Sequence, residues 1–217
     1  MVAEGKIVGV VWDGLRESYD AVANTYEERF HDELEHKERD RELLAAFADA
    51  TGDPVAEIGC GPGHVGAFVR GLGRNVIGVD LSVNMIALAR DRLDAGLVAD
   101  LRQLPFGPGQ IGGVLAFYSL IHVRREELRP ALEECHRVLR PGGRLLLSAH
   151  EGQGQIEREE FLDEPVAFVA TLFELDELVR ATTTAGFDVT SALRRDPYPS
   201  EGQTGRLYLG AARADIA

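Results

Sequence analysis

Apolar positions along the chain change their period more than once. Trp12, Leu15, Tyr19, Val22, Tyr26 and Phe30 recur at steps of three and four, the spacing of an amphipathic helix. A second helix carries Leu43, Leu44 and Phe47 and stops near Gly52-Asp53-Pro54. From there short apolar runs alternate with helical segments. Val55–Gly59, Asn75–Asp80 (NVIGVD), Leu97–Ala99, Gly113–Tyr118 (GVLAFY) and Arg144–Ser148 read as five buried strands. Between them lie a helix over Val65–Leu72 and one from the N-cap Ser82 through Asp94. A long helix then presents Leu128, Leu132, Cys135, Val138 and Leu139 on one face and stops at Pro141-Gly142-Gly143. Apolar strands separated by helices require a parallel sheet covered on both faces, and right-handed crossovers wind it in two directions. Leu175, Leu178 and Val179 mark a last helix, ended by Gly186, and Phe187–Leu193 with Gly205–Ala212 reads as an antiparallel pair around a Pro- and Gly-bearing loop. The fold class expected is α/β: a doubly wound, mostly parallel seven-stranded sheet with an antiparallel C-terminal strand.

The chain reads as a single domain over 1–217. Residues 1–52 form a helical N-terminal part, 53–150 the core, 151–172 an insertion and 173–217 the C-terminal helix and strand pair. The insertion is polar first, then apolar (FLDEPVAFVATLF). It is long for a plain connection, so it reads either as a substrate-side lid or as a surface excursion with a helix in it.

Charge narrows the partners. Net charge is -13, so there is no basic footprint for a nucleic acid or an anionic membrane, and neither is expected as a partner. Two cysteines, Cys60 and Cys135, provide no disulfide framework, and no metal-ligand spacing occurs. The N-terminus lacks a signal-type region, and the apolar stretch Ile7–Trp12 is far too short to span a bilayer. A cytoplasmic monomer or homodimer is expected.

The chemistry concentrates in VAEIGCGPGHVG, Val55 to Gly66. Read from Gly61, GPGHVG fits the dinucleotide signature G-x-G-x-x-G. Read from Glu57, EIGCGPG fits acid-x-G-x-G-x-G. A pyrophosphate needs backbone N–H groups and a helix N-terminus aimed at it, whereas Pro62 removes a donor and Glu57 brings a negative charge. Both features suit a cofactor that carries an amine and a sulfonium, and glycines let the backbone approach it closely. Asp80 ends the second strand about 20 residues past the first glycine, the offset of an acid that holds ribose hydroxyls. Asp100, in VADLRQLPF, could accept from an adenine amino group, with the Leu101 N–H beside it. Glu57, Asp80 and Asp100 thus stand at three successive strand ends, where open α/β sheets bind ligands.

These motifs together resemble the class I S-adenosylmethionine-dependent methyltransferases of the small-molecule type. YDAVANTYEERF resembles the family's lid helices, EIGCGPG its glycine motif and VIGVDLSVNMI its ribose-binding strand. VADLRQLPF resembles the adenine loop and LAFYSLIHV the fourth strand. ECHRVLRPGGRLLLSAH and FELDELVRATTTAGFDV resemble the helices and strands that follow. One departure shows: Ile111-Gly112 stands where the family has an aromatic-Asp pair. The resemblance implies a Rossmann-like methyltransferase fold with a helical lid, S-adenosylmethionine as cofactor and S-adenosylhomocysteine as product. It implies that Gly59, Gly61 and Gly63 line the methionine portion and that Glu57 holds the turn near the cofactor amine. Asp80 takes the ribose hydroxyls, Leu81 and Met85 pack on adenine, and Asp100 and Leu101 read its edge. Tyr118 and Ser119 close the other side, and Tyr19 and Tyr26 contact the methionine end from the lid or pack in the core.

The reaction implied is methyl transfer to a small-molecule acceptor at oxygen, nitrogen or carbon, in a biosynthetic or natural-product pathway. His122, in SLIHV, is the candidate general base. His64 reads as a helix cap, His136 as structural, His150 as a further lining residue, and His31 and His36 as part of a solvated face (HDELEHKERD). Two rival functions stand beside this one. A protein of the same fold could bind S-adenosylmethionine and catalyse a non-methylating reaction or serve as a binding partner. A nicotinamide-dependent oxidoreductase is the other, supported by GPGHVG alone.

Overall fold

A computed structural model describes residues 14–214; Trp12, read above as the start of the first helical stripe, lies outside them. Two helices lead the chain, α1 (Leu15–Phe30) and α2 (Glu38–Ala50). Then follow β1 (Val55–Ile58), α3 (His64–Gly71), β2 (Val76–Asp80), α4 (Val83–Ala89), β3 (Ala95–Val98), β4 (Ile111–Phe117), α5 (Leu128–Val138) and β5 (Leu139–His150). A hairpin, β6 (Gln155–Arg158) and β7 (Phe168–Thr171), precedes α6 (Leu175–Thr184), β8 (Phe187–Arg195) and β9 (Arg206–Arg213).

The main sheet has seven strands in the order β3-β2-β1-β4-β5-β9-β8. β1 pairs in parallel with both β2 and β4, and β9 runs antiparallel to β5 and β8. Along β4 successive side chains serve opposite layers. Val114 and Ala116 face the layer that holds Leu132 and Val138 of α5, and Leu115 and Phe117 face the layer that holds Leu44 and Phe47 of α2. Burial on both faces is why the strands read as continuous apolar runs. Strand order reverses between β1 and β4, so a crevice opens at the carboxyl ends of these strands. No helix among the described residues is long and apolar enough to cross a membrane.

The structure revises several boundaries. α4 stops at Ala89, short of Asp94, and β3 begins at Ala95. α5 ends at Val138 and β5 starts at Leu139, so Pro141-Gly142-Gly143 lies inside the strand. The extra residues there are absorbed by a register shift between Ile111 and Gly113 of β4, with Ile111 opposite Leu139 and Gly113 opposite Arg144. Segment 151–172 contains an antiparallel hairpin and no helix.

Candidate active site

The crevice holds a cavity of 410 Å³ lined from five directions. β1 and the β1–α3 turn supply Glu57, Gly59, Cys60, Gly61 and Pro62; β2, its exit and α4 supply Asp80, Leu81 and Met85. The loop after β3 supplies Asp100, Leu101 and Arg102, and the segment after β4 supplies Tyr118, Ser119 and His122. Helix α1 roofs it with Tyr19 and Tyr26. Of the residues expected at the site, only Gly63 and His150 are absent from this wall. A Cβ on Gly63 would lie 3.0 Å from Ala89 Cβ, so Gly63 serves the packing of α3 on α4.

Gly59, Gly61 and Gly63 all have positive φ, at 66°, 53° and 82°, the left-handed region that glycine enters without penalty. The curled turn has few amides to spare. Gly59 and Cys60 donate to Val79 O at 2.7 and 3.1 Å, Gly61 donates to Asp80 Oδ2 at 2.8 Å, and Gly63 donates to Cys60 O at 3.0 Å; Pro62 has no N–H. Every amide from residue 59 to 63 is therefore used inside the protein. The third glycine of GPGHVG also has a local reason. A Cβ on Gly66 would lie 2.3 Å from Glu57 Oε2.

Glu57 is buried, and its Oε2 has no hydrogen-bond partner. Burial, and then the charge of Asp80, push its carboxyl well above the usual range, in spite of a hydrogen bond from the Gly66 backbone. Asp80 is likewise pushed up by burial, against hydrogen bonds from the Ser82, Gly61 and Leu81 backbone. Ser82 N donates to Asp80 Oδ1 at 2.8 Å and, as expected, Ser82 Oγ caps α4 by accepting from Met85 N at 3.1 Å. Partial burial pushes Asp100 up, and the hydrogen bonds and charge of Arg102 outweigh it, so its carboxyl lies below the usual range. Arg102, not anticipated from the sequence, holds both Asp100 oxygens at 2.6–3.0 Å. The Cys60 thiol is pushed well up by burial, which removes it as a nucleophile.

Helix α1 is fastened over this wall. Ser18, Val22 and Ala23 are its buried positions, and Tyr19 and Tyr26 turn to the cavity. Asp20 Oδ1 accepts from Ser82 Oγ at 2.5 Å and from Asn84 N at 3.1 Å. Arg92 pairs with Glu27 and donates to Pro62 O at 2.8 Å, which ties the roof to the glycine turn. Arg29 pairs with Asp163 of segment 151–172.

His122 lies with its Nδ1 at 2.8 Å from Val169 O and its Nε2 at 2.7 Å from the Tyr19 hydroxyl. Burial pushes its pKa down to about 4, so the ring is neutral at pH 7. A carbonyl only accepts, so Nδ1 carries the hydrogen and Nε2 accepts from Tyr19. Of the other histidines, His64 and His150 differ from expectation, and His136, His31 and His36 follow it. His64 does not cap its helix; its ring is buried and lies 2.7 Å from Glu33 Oε1. His150 stands behind the ring of Tyr118, centroids 5.2 Å apart, and does not line the cavity. His136 packs on Phe187, and His31 and His36 are exposed. The same charged stretch turns other members inward. Lys37 pairs with Glu33 at 2.5 Å, and buried Asp40 accepts from Tyr208 Oη at 2.6 Å. Tyr208 in turn lies 3.0 Å from the Tyr118 hydroxyl. Tyr118 has φ 53°, a backbone strain of about 1–3 kcal/mol for a non-glycine residue. Its N–H donates to Ser148 Oγ at 2.9 Å, which helps to hold that conformation.

Residues 56–147 match the family described as Methyltransferase domain. The chain is 34% identical over 143 residues to the malonyl-[acyl-carrier protein] O-methyltransferase of Yersinia pestis, covering 65% of this chain and 49% of the relative. It is 32% identical over 164 residues to the O-methyltransferase cnsE of Penicillium expansum, covering 69% of this chain and 57% of the relative. The chain thus spans about half the length of these curated relatives. Among solved structures, magnesium protoporphyrin IX methyltransferase from Synechocystis, with bound S-adenosylmethionine, superposes with a TM-score of 0.71 at 16% identity over 94% of this chain and 97% of that one.

Proposed function

Since residues 56–147 are a methyltransferase domain set in a class I S-adenosylmethionine-dependent fold, we propose that the chain binds S-adenosylmethionine in the 410 Å³ cavity and passes its methyl group to a small-molecule acceptor. The observation that carries this reading is the pairing of acidic walls with a turn whose amides are already used. A cationic ligand finds Glu57, Asp80 and Asp100 around it, and a pyrophosphate finds no free N–H between residues 59 and 63. That counts directly against a nicotinamide dinucleotide.

The residues fit the cofactor. Space above Gly61 is open, with nothing within 4 Å of the position a Cβ would take, and Glu57 lines the same wall. Asp80, held by two amides, offers its remaining lone pairs to ribose hydroxyls. Met85 and Leu81 pack against adenine, Asp100 and the Leu101 N–H read its edge, and Gly59, Gly61 and Glu57 receive the methionine end, closed by Tyr118, Ser119 and the roof tyrosines. When bound, the cofactor supplies an electrophilic methyl on a sulfonium, and the protein supplies orientation and exclusion of water. His122 is the base on which the proton released by the transfer comes to rest.

Calorimetry with S-adenosylhomocysteine and NAD tests the cofactor. Binding of the former alone is expected, and binding of NAD alone would overturn the reading. Radiolabelled S-adenosylmethionine with a panel of hydroxyl, amine and carbon-acid acceptors then tests the reaction. Label is expected in an acceptor, with S-adenosylhomocysteine released. An acceptor transformed while the cofactor is recovered intact would establish the non-methylating alternative.

A further inference from the structure

We propose that Tyr19 and His122 act as one acid–base unit in which the Tyr19 hydroxyl, not the imidazole, meets the acceptor, and that the acceptor atom methylated carries a hydrogen that it donates to Tyr19, as a hydroxyl does. This rests on the methyl-transfer reading above. The Tyr19 hydroxyl occupies the lone pair of His122 Nε2 at 2.7 Å, so an acceptor reaches no free nitrogen on that ring. The other nitrogen is spent on Val169 O at 2.8 Å. Tyr19 lines the cavity, and its one hydrogen is committed to His122, so toward a ligand it presents only lone pairs. An oxygen with lone pairs alone selects a ligand that donates. A hydroxyl or an N–H does so, and a nucleophile that bears no hydrogen does not.

The unit is enclosed by rings. Phe161 lies 5.8 Å from Tyr19 and Phe168 5.5 Å from His122, centroid to centroid, and the two phenylalanines stack at 4.5 Å. Tyr26 closes the roof at 6.2 Å from Tyr19. Both phenylalanines and Val169 belong to segment 151–172. That segment therefore fixes the histidine tautomer and shields the pair from water, with no side chain of its own in the cavity wall.

The step balances as follows. As the carbon–oxygen bond to the acceptor forms and the carbon–sulfur bond breaks, the sulfur keeps the bonding pair and becomes a neutral thioether. The acceptor's hydroxyl proton passes to Tyr19 Oη while Tyr19's own proton passes to His122 Nε2. The positive charge that leaves sulfur reappears on the imidazolium, which then sheds the proton to solvent and restores the resting pair.

Long-range nitrogen NMR of the histidine-labelled full chain tests the pair without turnover. In the wild type, Nδ1 is expected protonated and Nε2 unprotonated but hydrogen-bonded. In Tyr19→Phe, the Nε2 signal is expected to move to that of a free neutral imidazole while Nδ1 stays. A protonated Nε2 in the wild type, or one indifferent to Tyr19→Phe, overturns the proposal. In single-turnover assays on the hydroxyl compound labelled most by the wild type, Tyr19→Phe and His122→Ala are each expected to lose roughly 10²-fold. The double variant should lose no more than either alone in the rate at saturating S-adenosylmethionine. Losses that multiply, or a Tyr19→Phe loss that disappears at saturating S-adenosylmethionine, would overturn it, as would label found only in acceptors without a hydrogen on the methylated atom. Failure of the wild type to bind S-adenosylhomocysteine would refute the cofactor reading instead, and the NMR result on the free chain would still decide the pair.

Discussion

Replacing Asp80 with alanine removes the acceptor of two backbone amides, Gly61 N–H and Ser82 N–H, each at 2.8 Å, and the proposed partner of both ribose hydroxyls. A hydrogen bond to a charged group contributes about 1.5–3 kcal/mol net. Two such bonds to the ligand give about 3–6 kcal/mol, or roughly 10²–10⁴ in Kd. The free protein should not lose stability in proportion. Burial pushes the Asp80 carboxyl up, so its ionised form is held at a cost that alanine relieves; residue 61 is only partly buried, so water can reach its amide, and the cost of about 1–3 kcal/mol for leaving the buried Ser82 N–H without its partner is offset by that relief. The expected result is S-adenosylhomocysteine binding weakened by two to four orders of magnitude, with the ligand-free melting temperature within a few degrees of wild type. Titration calorimetry and thermal unfolding measure the two. Asp80→Asn, which keeps one acceptor, should fall between. A Kd within about threefold of wild type in a folded Asp80→Ala protein would refute the reasoning.

Glu57→Gln removes a buried charge whose Oε2 has no partner; it is expected to raise ligand-free stability by about 1–3 kcal/mol, read by thermal melting. The same variant should weaken S-adenosylmethionine more than 5′-methylthioadenosine, which lacks the amino-acid end. Gly66→Ala places a Cβ 2.3 Å from Glu57 Oε2 and 2.8 Å from Leu93 Cδ2, and should cost about 1–3 kcal/mol; a shorter side chain in Glu57→Ser should recover part of it in the same denaturation assay. For pH, both Glu57 and Asp80 have raised folded pKa values. Their contribution to stability is fully present below the ordinary carboxyl pKa of about 4 and is lost as pH rises through the folded values. A cationic ligand prefers the ionised pair, so the melting shift produced by S-adenosylmethionine should grow over the same rise in pH; a shift that shrinks would contradict it.

Much of the sheet was legible because a strand buried on both faces must be apolar at every position, as β4 is from Ile111 to Phe117. Helix ends were less so. Arg90–Asp94 continues a helical pattern, yet Leu93 is buried and Asp94 Oδ2 accepts from Val76 N at 2.8 Å, a tertiary contact that draws the chain out of α4. Pro141-Gly142-Gly143 reads as a stop, and its bulged passage into β5 depends on the partner strand. Segment 151–172 gave length and polarity but not the hairpin, whose pairing is set against Val123 and His122, where Thr171 Oγ1 donates to Val123 O at 2.8 Å. Around the cavity, the acids and glycines were visible as motifs because each needs its own residue type at a strand end. Glu33 was not, because it reaches His64 from a stretch that reads as solvated. The Tyr19–His122 contact joins positions 103 residues apart, and no local pattern announces it.

The inward-turned amides of the glycine bend have an evolutionary consequence. Restoring a donor at position 62 would leave the Gly61 N–H bound to Asp80 and the Glu57 carboxylate in the wall, and removing Glu57 alone would free no amide. A lineage drifting toward nucleotide redox chemistry would have to cross several replacements, with neither ligand held well in between. The bend therefore acts as a ratchet on cofactor choice, whatever the acceptor side of the protein comes to bind.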